Sequence, residues 1–233
     1  MEFKLWALLL LIADRKGFRK PRPGTQGWII DAGANDGESA VMLANALRPL
    51  SLHVLAIEPL ANNVQSVRTK TQHMNNVEVL RAGLGELNGS TVHYPKHFDF
   101  RPAGGTAQVS AFRPSATVGN GTYSVMTIDT LFGAEGDRSL VLAHLDLEGR
   151  EADALRGART TLRRDRPVVT VETYSRSMRP RHQDVMAQLE ALRYDVYTIE
   201  EKVGTIRDGR NTVAIPREDR HLHRIVEHYF ANP

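Results

Sequence analysis

Trp28-Ile29-Ile30-Asp31-Ala32-Gly33-Ala34-Asn35-Asp36-Gly37-Glu38 runs from an apolar stretch through a glycine turn into the helical pattern of residues 39–47. A turn that passes close to a ligand needs residues without a bulky Cβ, and the helix after it offers free backbone N–H groups and the positive end of its dipole. Twenty-seven residues after Asp31, Glu58 ends the apolar run 52–57. In a βαβ unit, an acid at the tip of the second strand accepts hydrogen bonds from both hydroxyls of a ribose. A nucleoside cofactor is therefore expected at this turn.

The glycine spacing narrows the cofactor. A dinucleotide fingerprint wants G-x-G-x-x-G, whereas Asn35 and Glu38 occupy the second and third glycine places. What remains, D-x-G-A-N-x-G with an acid closing the next strand, resembles the first two motifs of Rossmann-like methyltransferases that bind S-adenosylmethionine. The plainer alternative is an α/β turn whose glycines serve only packing.

At 233 residues and 41% hydrophobic content, the chain can bury a substantial core. With no cysteine it has no disulfide framework, no thiolate nucleophile and no Cys-ligated zinc. A reducing, cytoplasmic setting fits. The 30 Lys and Arg nearly balance the 27 Asp and Glu, and a net charge of +3 is too mild to imply nucleic acid. The run 5–13 is apolar without a break and turns basic through Arg15, Lys16, Arg19 and Lys20. It falls short of the ~20 residues that span a bilayer. Its basic charge mostly follows the apolar run, unlike a signal peptide. Residues 1–26 are read as a helix packed on the domain or on a partner subunit, with a peripheral membrane contact through residues 5–20 or a signal-type segment as alternatives. Residues 27–233 form one domain with an insertion at about 89–121.

Apolar strand patterns at 28–30, 52–57 and 77–80 alternate with helical stretches at 39–47 and 62–73. Residues 89–94 read as a hairpin strand, and 95–121 lack a clear period, as functional loops or exposed insertions do. Strands at 122–128, 140–145 and 168–171 follow, with a helix over 150–164, a helix near 183–192, and last strands at 196–199 and 211–215. This alternation predicts a doubly wound, mostly parallel sheet of about seven strands whose last strand runs antiparallel, with ligands across the carboxyl ends of the central strands.

A second set of acids falls on those ends. Strand alternation places His144, Asp146 and Glu148 on one side, and Glu172 ends the next strand. Clustered acids raise one another's pKa and can leave one suited to proton transfer. Alternatively, Asp146 or Glu148 caps the helix that starts near Arg150. Asp146 and Glu172 are also hard donors of the type that holds a divalent cation, but two carboxylates do not make a site and no metal ligand is assigned. His182, His93 and His97 are secondary candidates for a base.

The ordered series Asp31-Ala-Gly-Ala-Asn-x-Gly37, Ile57-Glu58-Pro59, Thr127-Ile128-Asp129-Thr130-Leu131, Asp146-Leu-Glu148-Gly-x-Glu151, Leu155-x-Gly157-Ala158 and Arg166-Pro167 before Val171-Glu172 resembles the FkbM-type methyltransferase family over about residues 27–174. The resemblance implies a class I methyltransferase fold, S-adenosylmethionine as cofactor, and methyl transfer to a hydroxyl of a small molecule, a sugar or glycolipid, or a polyketide-type product. It implies that Asp31, Gly33, Asn35 and Gly37 line the methionine and ribose side, that Glu58 binds the ribose hydroxyls, and that Arg81-Ala82-Gly83 borders the adenine. Asp146, then Glu148, would serve as base, with Glu172 orienting the acceptor or its partners. The family commonly has lysine where this chain has His144. A histidine orienting a carboxylate would make the arrangement pH-dependent; a buried strand residue, the preferred reading, would change little. An RNA methyltransferase, with Arg156, Arg159, Arg163 and Arg164 on one helical face, and a non-catalytic S-adenosylmethionine-binding scaffold are the rival readings.

Overall fold

The computed structural model describes residues 3–94, 121–133, 136–172, 179–203 and 206–231. The first half alternates as the apolar pattern predicts: β1 (Gln26–Ala32), α2 (Glu38–Ala46), β2 (His53–Ile57), α3 (Ala61–Thr71) and β3 (Val77–Leu80) follow a first helix α1 (Phe3–Asp14). β4 (Gly83–Leu84), β5 (Thr91–Tyr94) and β6 (Gly121–Met126) come next, then α4 (Ile128–Phe132), β7 (Arg138–Leu145), α5 (Glu151–Arg156), α6 (Arg159–Asp165) and β8 (Val168–Glu172). The chain goes on through α7 (Arg179–Ala191), β9 (Tyr194–Val203), β10 (Ile206–Pro216) and α8 (Arg220–Ala231).

Seven strands form one sheet in the order β3-β2-β1-β7-β8-β10-β9. β3, β2, β1, β7 and β8 pair in parallel, and β10, the last strand of the chain, runs antiparallel to both β8 and β9. This is the doubly wound arrangement with an antiparallel last strand. The chain leaves β1 toward β2 on one side and returns to β7 on the other, so the crevice for a ligand lies at the carboxyl ends of β1 and β7.

Strand alternation divides the core into two layers. Ile29, Val54, Leu142, Val213 and Ile215 face one layer with α2 and α8; Trp28, Ile30, Leu55, Ala143 and Val169 face the other with α4 to α7. The N-terminal apolar run belongs to the first layer. Leu5, Leu8, Leu9 and Ile12 repeat at helical spacing and are buried, so α1 commits that face to the core. Leu10 points outward, and no helix among the described residues is long and apolar enough to cross a membrane.

The remaining elements refine the pattern read from the sequence. The strands expected at 89–94 and 122–128 lie outside the seven-stranded sheet: β5 and β6 pair antiparallel, as a hairpin strand does, and β4 joins β6, in a separate three-stranded sheet. β6 stops at Met126 because Thr127 turns into a cap, its hydroxyl accepting the Thr130 N–H at 3.0 Å to start α4. The single helix expected over 150–164 is two, α5 and α6, broken at Gly157 and Ala158. There a Cβ on Gly157 would lie 2.1 Å from the Gly85 carbonyl oxygen, and Asp129 accepts the Thr160 and Thr161 N–H groups at 3.1 and 2.7 Å. Local pattern favours one helix, but the contact with Gly85, just after β4, and the cap from α4 divide it. The closing helix α8 had no counterpart in the sequence reading. Most of the 89–121 insertion lies outside the described residues.

Candidate active site

The turn after β1 is built on left-handed backbone, with φ of +86° at Gly33, +48° at Asn35 and +92° at Gly37. Gly33 and Ala34 donate to the Ile57 carbonyl at the end of β2, at 2.9 and 3.2 Å. A Cβ on Gly33 would sit 1.8 Å from the carbonyl oxygen of Asp146, and one on Gly37 would lie 3.0 Å from Cα of Val67 in α3. Both glycines thus have a packing requirement of their own. The Asp146 N–H in turn donates to the Ala32 carbonyl at 2.9 Å, so the ends of β1 and β7 are joined backbone to backbone.

Glu58 stands at the end of β2, only 4% exposed. One carboxylate oxygen accepts the Asn35 N–H at 3.0 Å and the other the Leu60 N–H at 2.8 Å. Burial pushes its pKa up, and the bonds from Leu60, Asn35 and Asn63 offset only part of that shift. The exposed Asn35 side chain accepts from Asn63 at 3.1 Å. Two residues expected to line the cofactor lie deeper. Asp31 is fully buried beneath the turn and accepts the Ser39 hydroxyl at 2.8 Å, so it holds the turn from behind. Ala82 is packed into the second apolar layer with Ile57 and Leu84.

The acids meet at the rim. Strand geometry ends at Leu145, and the chain turns through Glu148 and Gly149 at φ of +53° and +92°. Even so, Asp146, Glu148 and Glu172 each bring a carboxylate oxygen within 4.8 Å of the other two, the arrangement among the described residues that could hold a metal ion. The N-cap position of α5 is Arg150, not Asp146 or Glu148. The turn is tied instead by Glu151, one oxygen of which accepts the Leu147 and Gly149 N–H groups at 2.9 and 3.0 Å. Glu151 is buried, and burial followed by the nearby Glu148 charge pushes its pKa up against those bonds. Sequence reasoning assigned Glu151 no role; its signal is an acid two residues after a glycine in a strand-to-helix turn.

His144 is a buried strand residue. It lies between Asp31 on β1 and Thr170 on β8 in register, its Nδ1 is 2.8 Å from the Thr170 hydroxyl, and Trp6 of α1 packs on its ring. Burial pushes its pKa down, with Asp31 lifting it in part. His182 is partly buried on α7, His93 lies on β5, and His97 falls outside the described residues. Among the arginines proposed for RNA, Arg156 pairs with Glu86, Asp153 and Asp184, and Arg164 with Asp165 and the Gly133 carbonyl. Two of the four are therefore engaged within the fold, while Arg159 and Arg163 are exposed.

Residues 31–196 match the model of the methyltransferase FkbM domain. The chain belongs to the FkbM methyltransferase family. Among solved structures, methyltransferase FkbM from Methylobacillus flagellatus KT aligns over 86% of this chain and 49% of its own, at 20% identity and TM-score 0.55. The chain thus spans about half the length of that protein. An O-methyltransferase from Bacillus cereus in complex with SAH aligns over 91% of this chain and 79% of its own, at 15% identity and TM-score 0.51. Fibrillarin from Aeropyrum pernix, with natively bound S-adenosyl-L-methionine, covers 90% and 76% at 14% identity and TM-score 0.50. At these identities the likeness is one of fold, the class I fold of S-adenosylmethionine-dependent methyltransferases. No match was found among curated protein sequences. Both the FkbM assignment and the fold agree with what the motif series implied.

Proposed function

We propose that the protein transfers the methyl group of S-adenosylmethionine to a hydroxyl oxygen of a small-molecule, sugar or polyketide-type acceptor. The contact between Gly33 and the Asp146 carbonyl carries this reading, because it joins the turn expected to hold the cofactor to the acid cluster. The donor set fits the cofactor. Glu58 is a buried carboxylate at the strand tip whose oxygens each have a lone pair beyond the bonds from Asn35 and Leu60, as two ribose hydroxyls require. Gly33, Asn35 and Gly37 shape the turn on the methionine side, Asp31 supports it through Ser39, and the Arg81–Ala82 backbone would border the adenine.

When bound, the cofactor supplies a methyl group already activated by a sulfonium, so the protein has chiefly to align the acceptor and take up one proton. An alcohol is a poor nucleophile at neutral pH, and a base within hydrogen-bonding reach must accept its proton as the new C–O bond forms. Asp146 is assigned that role. It sits at the end of β7, beside the cofactor turn, with Glu148 and Glu172 close enough to orient the acceptor hydroxyl.

Calorimetric titration with S-adenosylmethionine and S-adenosylhomocysteine tests the cofactor. Glu58→Ala is expected to weaken binding by about 10- to 100-fold, the loss of one to two hydrogen bonds to a charged group. Because Glu58 also holds the Asn35 and Leu60 N–H groups, Glu58→Gln, which keeps an acceptor oxygen, serves as the folded control. In an acceptor screen over glycans, polyketides and RNA, Asp146→Asn is expected to lower kcat by about 10²–10⁴. A folded wild type that binds neither cofactor nor product would sink the reading, and transfer to RNA alone would replace the acceptor class.

A further inference from the structure

We infer that Asp146, Glu148 and Glu172, together with the side-chain amide of Asn211, form a binding site for one hard divalent cation. Three carboxylates with oxygens within 4.8 Å of one another have the spread of ligands around a single ion, since oxygens at opposite sides of Mg2+, Mn2+ or Ca2+ lie about 4–5 Å apart. An acidic cluster alone is weak ground. Asn211 is the independent observation: it is fully buried at the start of the β10 ladder with β8, and neither its Nδ2 nor its Oδ1 has a hydrogen-bond partner.

The register points this amide at the cluster. Asn211 pairs directly with Glu172 across the antiparallel β8–β10 ladder, and cross-strand partners project from the same face with Cβ atoms about 4.5–5.5 Å apart. Its partner on the other side is Ile199, and Val213, two residues on, is buried in the apolar layer. An apolar side chain would suit such a position. Buried amides are almost always satisfied, so an orphaned one opposite Glu172, on the sheet face of the acid cluster, is best explained by a ligand that meets its oxygen. A neutral amide oxygen completes a set of hard donors without adding a fourth negative charge. With oxygen ligands only, the set favours Mg2+, Mn2+ or Ca2+ over zinc or copper.

The inference rests on the proposed methyl transfer for its purpose, not for its geometry. A cation here would lower the pKa of an acceptor hydroxyl placed beside it, while Asp146, binding through one oxygen, keeps the other to receive the proton.

Mn2+ is the probe, followed on the full chain by electron paramagnetic resonance and calorimetry, with S-adenosylhomocysteine binding measured in parallel. One saturable Mn2+ site is expected, displaced by Mg2+ or Ca2+. Asp146→Asn, Glu172→Gln and Asn211→Leu should each weaken it by at least about ten-fold, as loss of a ligand does. Glu58→Ala should weaken only S-adenosylhomocysteine. Should Asn211→Leu fail to fold, Asn211→Asp decides: it keeps an oxygen and must bind Mn2+ at least as tightly as wild type. Absence of saturable Mn2+ binding in a protein that binds S-adenosylhomocysteine overturns the site, as does wild-type affinity in Asn211→Leu or lost affinity in Asn211→Asp. Mn2+ binding without S-adenosylhomocysteine binding supports the site and counts against methyl transfer instead.

Discussion

Glu151 shapes the site although the motifs do not single it out for chemistry. It accepts two backbone N–H groups of the turn that presents Asp146 and Glu148, and it does so buried, with its pKa raised above the usual 4.5. A carboxyl whose pKa rises on folding contributes stability that is fully present below 4.5 and is lost as pH climbs through the raised folded value. Glu58 has the same sign. Glu151→Gln keeps an acceptor oxygen and removes the buried charge, so it should flatten the fall in stability above pH 4.5, measured as denaturant midpoints across pH 4–8. Glu151→Ala leaves two N–H groups without their acceptor and should cost about 1–3 kcal/mol at every pH. Equal pH profiles for wild type and Glu151→Gln would refute the assignment. His144 has the opposite consequence: its pKa is lowered by burial, so its protonation in the unfolded chain erodes stability as pH falls below 6.5.

Among the elements, the break between α5 and α6 separates what a helical pattern can announce from what a neighbour imposes. The break holds Asp129 and Gly157 together, the Asp129 N–H donating to the Gly157 carbonyl at 2.9 Å while the Asp129 carboxylate caps α6. Gly157→Ala would favour a continuous helix in isolation, Ala being the better helix former by roughly 1 kcal/mol. In the fold it is expected to destabilise by about 1–3 kcal/mol, because its Cβ meets the rigid Gly85 carbonyl at 2.1 Å. A calorimetric melt decides the sign. A higher Tm would mean that local propensity outweighs the contact with Gly85. The apolar run in α1 teaches a related lesson: a continuous stretch of leucines reads as a membrane anchor or as a core helix, and burial of Leu5, Leu8, Leu9 and Ile12 assigns that face to the core.

Across the whole molecule, the proposed function depends on where the sheet brings β1 and β7 together. Gly33→Ala tests this joint, since the added methyl would lie 1.8 Å from the Asp146 carbonyl on backbone at φ +86°, pushing the turn proposed to hold the cofactor and the acid cluster apart. Loss of several kcal/mol of stability, on the order of 3, together with loss of S-adenosylhomocysteine affinity is the expected result. Unchanged affinity in a stable variant would show that the joint is dispensable. The Rossmann-like class, the antiparallel last strand, Glu58 at a strand tip and the acids of the Asp146–Glu148 turn were all legible in the sequence, because apolar periodicity, glycine spacing and chain order are local properties. The tertiary structure alone decided the rest. Register across β8 and β10 sets Asn211 against Glu172 although they are far apart in the chain, and packing buries Asp31 beneath the turn, where it accepts the Ser39 hydroxyl. Backbone contact between strands distant in sequence fixes Gly33 against Asp146. These are relations between segments, set by packing and by the hydrogen-bond ladder, and no run of residues contains them on its own.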